Sequence, residues 1–501
     1  MLKTGKEHLE GLRDGRVVYI GGEKVDDVTT HPAFAESAKS MAALYDMKAD
    51  PANREVMSFE EGGERFSMYF LRPRSQEDLR RRMRAHKRIA DETCGLFGRS
   101  PDHVSSFVAG LAMKPEVFDE IGPGYGDNLL NYYDYMRRND IYAAYAVLPP
   151  AGARNPDFYL QKSMPVPTLK VVDERDDGVM ISGMKMLATG GVYADELWIG
   201  NLLPIAAGRE AESITCAVPC AAPGLTLWSR KPSAQGLANN FDYPLSAKYD
   251  ESDAMVLCDN VFVPWEKVFV HDNAEMSRAI YVQTPSHAMG NHQSNVRFWA
   301  KMQLLTGVLS RITQSSGNNT IPAVADQLGR MAALEATIGG MIHGQIEAFE
   351  DWPGGGPGPG TGGGTGAGKY VTINRRYMYA ALNWCTENHS MIIEMLRELM
   401  GGAVFQMPAD VSVMGNPELR EKFEQFWATP FLESFERMKL YRLAWDLVGS
   451  EFAGRHTTYE KFYAGSYFVV RNHSNREAPW DEFHAIADRQ LAAMEVPEGL
   501  E

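Results

Sequence analysis

The stretch GRSPDHVSSF, residues 98–107, holds Arg99 and His103 four positions apart. Pro101 is placed to begin a helical turn, so both side chains point the same way and set a permanent cation beside an imidazole. Catalysis and a solvated helix face both account for that spacing. Three further groups have residue types suited to binding. NDIYAAYAVLPPAGAR brings Tyr145 and Arg154 to the point where a helical pattern gives way to a β-rich one, and small-molecule sites favour such junctions. KMLATGGVYADELWIG ends a strand at Thr189-Gly190-Gly191, where glycines let a ligand ring lie against the backbone, although a strand bulge gives the same pattern. SHAMGNHQSNVRF places His292, Gln293 and Arg297 on an otherwise apolar helix, facing a polar cofactor, a subunit contact or the core.

Metal binding is not expected. His287 and His292 are five apart with no acid between them, which is not the helical zinc pattern. Cys216 and Cys220 in CAVPC have no histidine cluster nearby, and five cysteines in all do not make a disulfide framework.

Three zones must position these groups. Residues 1–145 read as a helical domain, carried by EDLRRRMRAHKRIADETCGLFG with its apolar residues returning at three and four. Over 146–277 the period shifts towards two, with Pro, Gly and Asp turns and a hairpin signal at DDG, which predicts a small β-barrel or sandwich. From 278 to 501 the helical pattern returns and persists to about residue 470, as in LYRLAWDLVGSEF, and predicts a bundle. The fold class is therefore α+β and multidomain. Within the bundle, GGGPGPGTGGGTGAGKY comes near a phosphate-binding loop, but Tyr370 stands where Ser or Thr would hold magnesium; residues 354–368 read as a flexible surface loop.

A net charge of −15 argues against nucleic acid as a partner. The charged N-terminal stretch and the lack of any apolar run near about 18 residues argue against a secretory signal or a membrane span, so a cytoplasmic enzyme is expected.

Several segments in order, among them YIGGEKVDDVTTHPAF, GRSPD, LATGGVYADELWIG, YPLSAKYDESDAMVLCDNVFVPWEKVF, ELMGGAVFQMPAD and RLAWDLVGSEFAGRHTTYEKFYAG, resemble the oxygenase component of the 4-hydroxyphenylacetate 3-monooxygenase family. The resemblance implies an acyl-CoA-dehydrogenase-like fold and a homotetramer. It also implies a two-component system, in which a separate NAD(P)H:flavin reductase supplies FADH2 and this chain reacts it with molecular oxygen. The absence of a GxGxxG fingerprint agrees with that division of labour. The implied chemistry is ortho-hydroxylation of a phenolic or hydroxypyridine-type ring through a C4a-hydroperoxyflavin. The substrate is either a simple phenol such as 4-hydroxyphenylacetate or a natural-product intermediate, free or carrier-tethered.

In the family an Arg, a Tyr four residues later and a more distant His hold the phenol oxygen. Here those positions carry Arg99, His103 and Tyr145, so the imidazole and the phenol have changed places. For the flavin, the resemblance implies Thr189 at the reactive edge, Arg154 on the polar portion, and His292, Gln293, Arg297, Gly401 and Gly402 around the tail or a subunit boundary. Two other readings stay open. A lyase like 4-hydroxybutyryl-CoA dehydratase would need cluster-ligating cysteines where this chain has Arg99, His103 and Trp299. A non-catalytic flavin-binding protein is the other.

Overall fold

A computed structural model describes residues 2–352 and 369–499; the Gly-rich stretch 354–368 lies outside the described residues. The centre of the chain forms two sheets. In the six-stranded one the order is Glu23–Val25, Val17–Ile20, Leu225–Ser229, Asp253–Pro264, Gly178–Thr189, Lys170–Arg175. In the four-stranded one it is Val268–Val270, Thr215–Pro219, Glu196–Ile199, Ala143–Ala146. The DDG signal closes the hairpin it predicts, with Arg175 opposite Gly178. The two sheets are tied through Lys185, buried on the first, whose Nζ donates to the Gly200 carbonyl at 2.8 Å and to Asn201 Oδ1 at 2.7 Å beyond the end of the second.

The N-terminal zone is less purely helical than its periodicity suggests. Val17–Ile20 and Glu23–Val25 turn on Gly21-Gly22 and join the six-stranded sheet, Val17–Ile20 pairing parallel with Leu225–Ser229. Ala143–Ala146 pairs parallel with Glu196–Ile199, which puts Tyr145 opposite Trp198. Strands this short carry too few residues for alternation to outweigh the helical segments around them. The entry of Ala143–Ala146 is fixed by Asp140, left-handed at φ 48°, whose buried carboxylate receives Lys48 Nζ at 2.8 Å and the Ser67 and Tyr69 hydroxyls at 2.7 Å each.

The C-terminal helices extend further than expected, through Tyr467–Glu477 and Trp480–Ala492. Ser286–Ser315, Pro322–Glu347 and Arg375–Met400 pack on one another, and Asp102–Leu111 crosses from the N-terminal region onto Ser286–Ser315. Gly290 makes that crossing possible, because a Cβ there would lie 1.8 Å from the Phe107 ring. Among the described residues, no helix is long and apolar enough to cross a membrane.

Candidate active site

The Asp102–Leu111 helix is buried throughout, so every polar group on it needs a partner. Asp102 finds several: Ser100 Oγ donates at 2.5 Å, His86 Nδ1 at 2.7 Å and Gln293 Nε2 at 3.2 Å. Arg99, just before the helix, is held from all sides. Its backbone N–H donates to Glu251 Oε1 at 2.5 Å, its carbonyl accepts from Tyr142 Oη at 2.6 Å, and its Nη2 donates to the Tyr463 carbonyl at 3.0 Å. The guanidinium also lies over the Tyr463 ring, 4.1 Å from its centroid. Burial opposes its charge, but Tyr463, Tyr459 and Glu251 outweigh that and raise its pKa.

The remaining Arg99 nitrogen, Nη1, meets His103 Nε2. A guanidinium can only donate, so Nε2 accepts and the imidazole proton sits on Nδ1. That Nδ1–H is buried without a partner, and so is the Tyr145 hydroxyl. The two rings stand edge to face, centroids 5.6 Å apart, with Phe107 against both at 5.1 and 4.9 Å. Burial, then the positive fields of Arg99 and Arg297, push His103 well below the ordinary histidine value, so it stays neutral. Burial pushes Tyr145 well above the ordinary phenol value, so it stays protonated. The result is one fixed cation beside two neutral, unsatisfied hydrogen-bonding groups, a local deficit that a bound oxygen would fill.

Thr189 joins the same neighbourhood through the backbone of the six-stranded sheet. Its Oγ1 donates to Asp253 Oδ1 at 2.6 Å; Arg455 bridges Asp253 at 2.9 Å and Glu251 at 3.0 Å; Glu251 in turn holds Arg99. Gly190, at φ +79°, lies so close to Tyr142 that a Cβ would fall 2.1 Å from its hydroxyl. The Gly190 N–H is taken by the Glu251 and Ser252 carbonyls, so it does not offer the free donor that the strand-end glycines suggest. Two residues before Thr189, Leu187 sits in a bulge at φ +59° with 56% of its surface exposed. A strained, exposed leucine beside Thr189 is a platform on which an apolar ring system can rest.

The other expected residues divide. Gln293 is joined to the site through Asp102, with its Oε1 unpartnered, and His292 donates from Nδ1 to Gln345 Oε1 at 2.8 Å with its buried Nε2 unpartnered. Arg297 spends its guanidinium internally, in a two-pronged ion pair with Glu460, and meets the site by lying over the Tyr463 ring at 4.8 Å. Arg154 is exposed on the short turn Ala151–Arg154, lining a separate surface cavity. Gly401 and Gly402 lie on an exposed turn after Arg375–Met400 with nothing within 4 Å of a Cβ at either. Residue patterning did not single out Glu251, Asp253, Arg455, Tyr459, Glu460 or Tyr463. The four-residue spacing of Arg455, Tyr459 and Tyr463 in RHTTYEKFY is the signal that marks one face of their helix.

Burial of neutral histidines has a consequence for acid stability. Burial pushes His292 and His389 to about 3. Below the ordinary histidine value the unfolded chain takes up a proton on each that the folded chain refuses, so this stability is complete above about pH 6.5 and is lost as pH falls. The expected slope is about 1.4 kcal/mol per pH unit for each histidine. Urea midpoints measured from pH 7 down to 5 should fall steadily; a flat profile would contradict the assignment.

Two family models match the chain: 4-hydroxyphenylacetate 3-hydroxylase N terminal over residues 4–270 and 4-hydroxyphenylacetate 3-hydroxylase C terminal over residues 277–492. The chain is similar to the 4-hydroxyphenylacetate 3-monooxygenase oxygenase component of Thermus thermophilus, 32% identical over 503 residues that cover 99% of each. It is similar in structure to the oxygenase component of 4-hydroxyphenylacetate 3-monooxygenase complexed with FAD and 4-hydroxyphenylacetate, with a TM-score of 0.87, 30% identity, and coverage of 98% of this chain and 100% of that one. A 4-hydroxybutyryl-CoA dehydratase from N. maritimus shares the fold, with a TM-score of 0.85 at 19% identity over 100% of this chain and 97% of that one.

Proposed function

The chain belongs to the 4-hydroxyphenylacetate 3-hydroxylase family, and from that premise we propose how it works: Arg99, His103 and Tyr145 hold the oxygen of a phenolic ring while the ring is hydroxylated beside it. The chain is the oxygenase component of a two-component flavin-dependent monooxygenase, with the acyl-CoA-dehydrogenase-like fold, FAD as cofactor and oxygen as co-substrate. Reduced flavin, when bound, supplies the electrons that activate oxygen. A separate reductase delivers it, and the assembly is a cytoplasmic homotetramer. Strongly exposed aromatic side chains on the C-terminal region, Phe405, Phe426 and Phe468, support burial against further copies, and so does the Trp480–Ala492 helix, which has no buried residue.

The carrying observation is the buried, unpartnered pair of His103 Nδ1 and Tyr145 Oη beside Arg99. With its Nε2 turned to Arg99 and its proton on Nδ1, His103 is a donor and not a base. Tyr145, kept protonated by burial, is a second donor. A cation and two donors favour the phenolate over the phenol, and phenolate charge delocalised to the ortho carbon makes that carbon a better nucleophile. The reciprocal exchange of His and Tyr thus keeps the family's inventory and relocates the donors. The aromatic enclosure by Phe107 excludes water from the reacting atoms.

The residues fit a flavin near Thr189. The Leu187 platform is exposed, Thr189 retains lone pairs for a donor at the ring edge, and on the helix Ser286–Ser315 Gln293 Oε1 and His292 Nε2 are buried without partners. Arg154 is assigned to the cofactor's polar portion and Gly401 and Gly402 to its tail or a subunit boundary; all three are exposed.

The test is rapid mixing of the anaerobic chain–FADH2 complex with oxygen, with phenols and hydroxypyridines of varied para substituent, followed by mass spectrometry. The expected result is a product heavier by one oxygen, ortho to the hydroxyl. Hydrogen peroxide alone with every ring, from folded and flavin-loaded chain, would overturn the reading in favour of a non-catalytic flavin-binding protein.

A further inference from the structure

The Arg99 guanidinium differs from those of Arg297 and Arg455 in having no carboxylate partner. Arg297 is paired with Glu460, and Arg455 with Glu251 and Asp253. Glu251 also reaches Arg99, but at the backbone N–H, and among the described residues no carboxylate oxygen meets the Arg99 side chain. Tyr463 meets it twice: its ring face lies 4.1 Å, at the centroid, from the guanidinium carbon, and its backbone carbonyl accepts from Nη2 at 3.0 Å. An electron-rich ring face attracts a cation without carrying a charge, so it holds the guanidinium and leaves the positive field unneutralised.

Tyr463 is itself fixed in place. It is buried, directly after the helix Glu451–Phe462. Its hydroxyl donates to the Gly98 carbonyl at 2.9 Å and accepts from Ser294 Oγ at 3.1 Å, which ties the ring to the residue before Arg99 and to the helix Ser286–Ser315. Gly98 is what lets the two segments approach, because a Cβ there would fall 2.2 Å from the hydroxyl of Tyr459, one turn before Tyr463. The Tyr463 ring also stands edge to face with the His103 ring, centroids 6.3 Å apart. One side chain thus lies against the cation of the site and borders the imidazole that this cation orients. Without the ring, the guanidinium would keep two neutral acceptors, His103 Nε2 and the Tyr463 carbonyl, and nothing would confine its plane.

We propose that Tyr463 is the positioning residue of Arg99: its ring face takes the place of a carboxylate counter-ion, so that the substrate's phenolate oxygen becomes the first anion the guanidinium meets. The inference rests on the proposed function, since it takes the phenol oxygen to lie at Arg99, His103 and Tyr145. It deepens that reading by assigning to the ring of Tyr463, and not to its hydroxyl, the preference of the site for phenolate over phenol. A carboxylate in the same position would hold Arg99 as well, but would cancel the charge that draws the phenolate.

The test titrates 4-nitrophenol bound to the flavin-free chain and reads its apparent pKa from the phenolate absorbance, in the natural chain, Tyr463→Phe and Tyr463→Leu, with urea midpoints measured alongside. Tyr463→Leu removes the ring and leaves the carbonyl. It should cut the preference for phenolate over phenol about tenfold or more, read as a rise of about one pH unit or more in the bound pKa. Tyr463→Phe loses only the two hydrogen bonds of the hydroxyl and should recover most of that preference. If Tyr463→Leu does not fold, 3,5-difluorophenylalanine at position 463, compared with Tyr463→Phe, weakens the ring face at nearly constant shape and should raise the bound pKa in the same direction. A lowered urea midpoint with an unmoved bound pKa in Tyr463→Leu, no rise across the fluorinated pair, or a loss in Tyr463→Phe as large as in Tyr463→Leu would overturn the inference while the proposed function stands. A natural chain that binds 4-nitrophenol only as the neutral phenol, or not at all, would fail the proposed function and the inference with it.

Discussion

Replacing Arg99 by methionine is expected to lower the hydroxylation rate by about two to three orders of magnitude, the loss found when one preorganised donor to a developing or resident oxyanion is removed. Among the described residues Arg99 is the only permanent charge that meets His103, and it fixes that imidazole with its proton on Nδ1. Without it the phenolate loses a cation and His103 loses the partner that selects its tautomer. The phenol then ionises less readily in the site, so the acid limb of the kcat/KM profile should move up by about one pH unit or more. Arg99→Lys restores a charge but not the planar fork that reaches both His103 and the Tyr463 carbonyl, and should recover part of the rate. A rate loss with an unmoved pH profile would assign Arg99 to scaffolding alone.

The second large effect is on stability. Glu460 is buried between Arg297 and Lys301, accepting from Arg297 through both carboxylate oxygens and from Lys301 Nζ, which also donates to His456 Nδ1 at 3.0 Å. Burial alone would raise the Glu460 pKa, but the two cations outweigh it and hold the carboxyl below the usual carboxylate range. Burial pulls Lys301 down to about 8 even with Glu460 beside it. Glu460→Gln removes the only counter-charge that Arg297 and Lys301 have among the described residues, and breaking a buried pair in this way costs about 3–5 kcal/mol. Lys301 should respond by losing its proton at neutral pH, so Glu460→Gln/Lys301→Met should be less destabilised than the sum of the single changes, a coupling that urea unfolding of the four chains measures. Additive losses would mean that the cluster is solvated. The effect should reach the site, because Arg297 stacks on Tyr463, whose ring also meets the Arg99 guanidinium and the His103 ring and whose hydroxyl accepts from Ser294 Oγ at 3.1 Å and donates to the Gly98 carbonyl at 2.9 Å.

Much of this arrangement is legible in the amino-acid sequence. The change of period near residue 146 located the β region, and the Arg99/His103 spacing located the helix face. The strands Val17–Ile20, Glu23–Val25 and Ala143–Ala146 were hidden because each has three or four residues, and Val17–Ile20 and Ala143–Ala146 join their sheets by pairing with segments distant in sequence. Sequence spacing also could not reveal that Arg297 points to Glu460, since the two are 163 positions apart. The same holds for the chain from Thr189 through Asp253, Arg455 and Glu251 to Arg99, which is assembled from four separated segments. The exchange of His103 and Tyr145 was legible only against the family pattern. Its physical meaning, two neutral donors rather than a base, came from the Arg99 contact.

The most direct test of that meaning is the absorption spectrum of 4-nitrophenol bound to the flavin-free chain at a pH below the phenol's own solution pKa. A site of one cation and two donors predicts the spectrum of the phenolate, and predicts that Arg99→Met returns it towards the neutral phenol. A bound ligand with the neutral phenol spectrum in the natural chain would contradict the account, because the three groups would then not be gathered around the substrate oxygen.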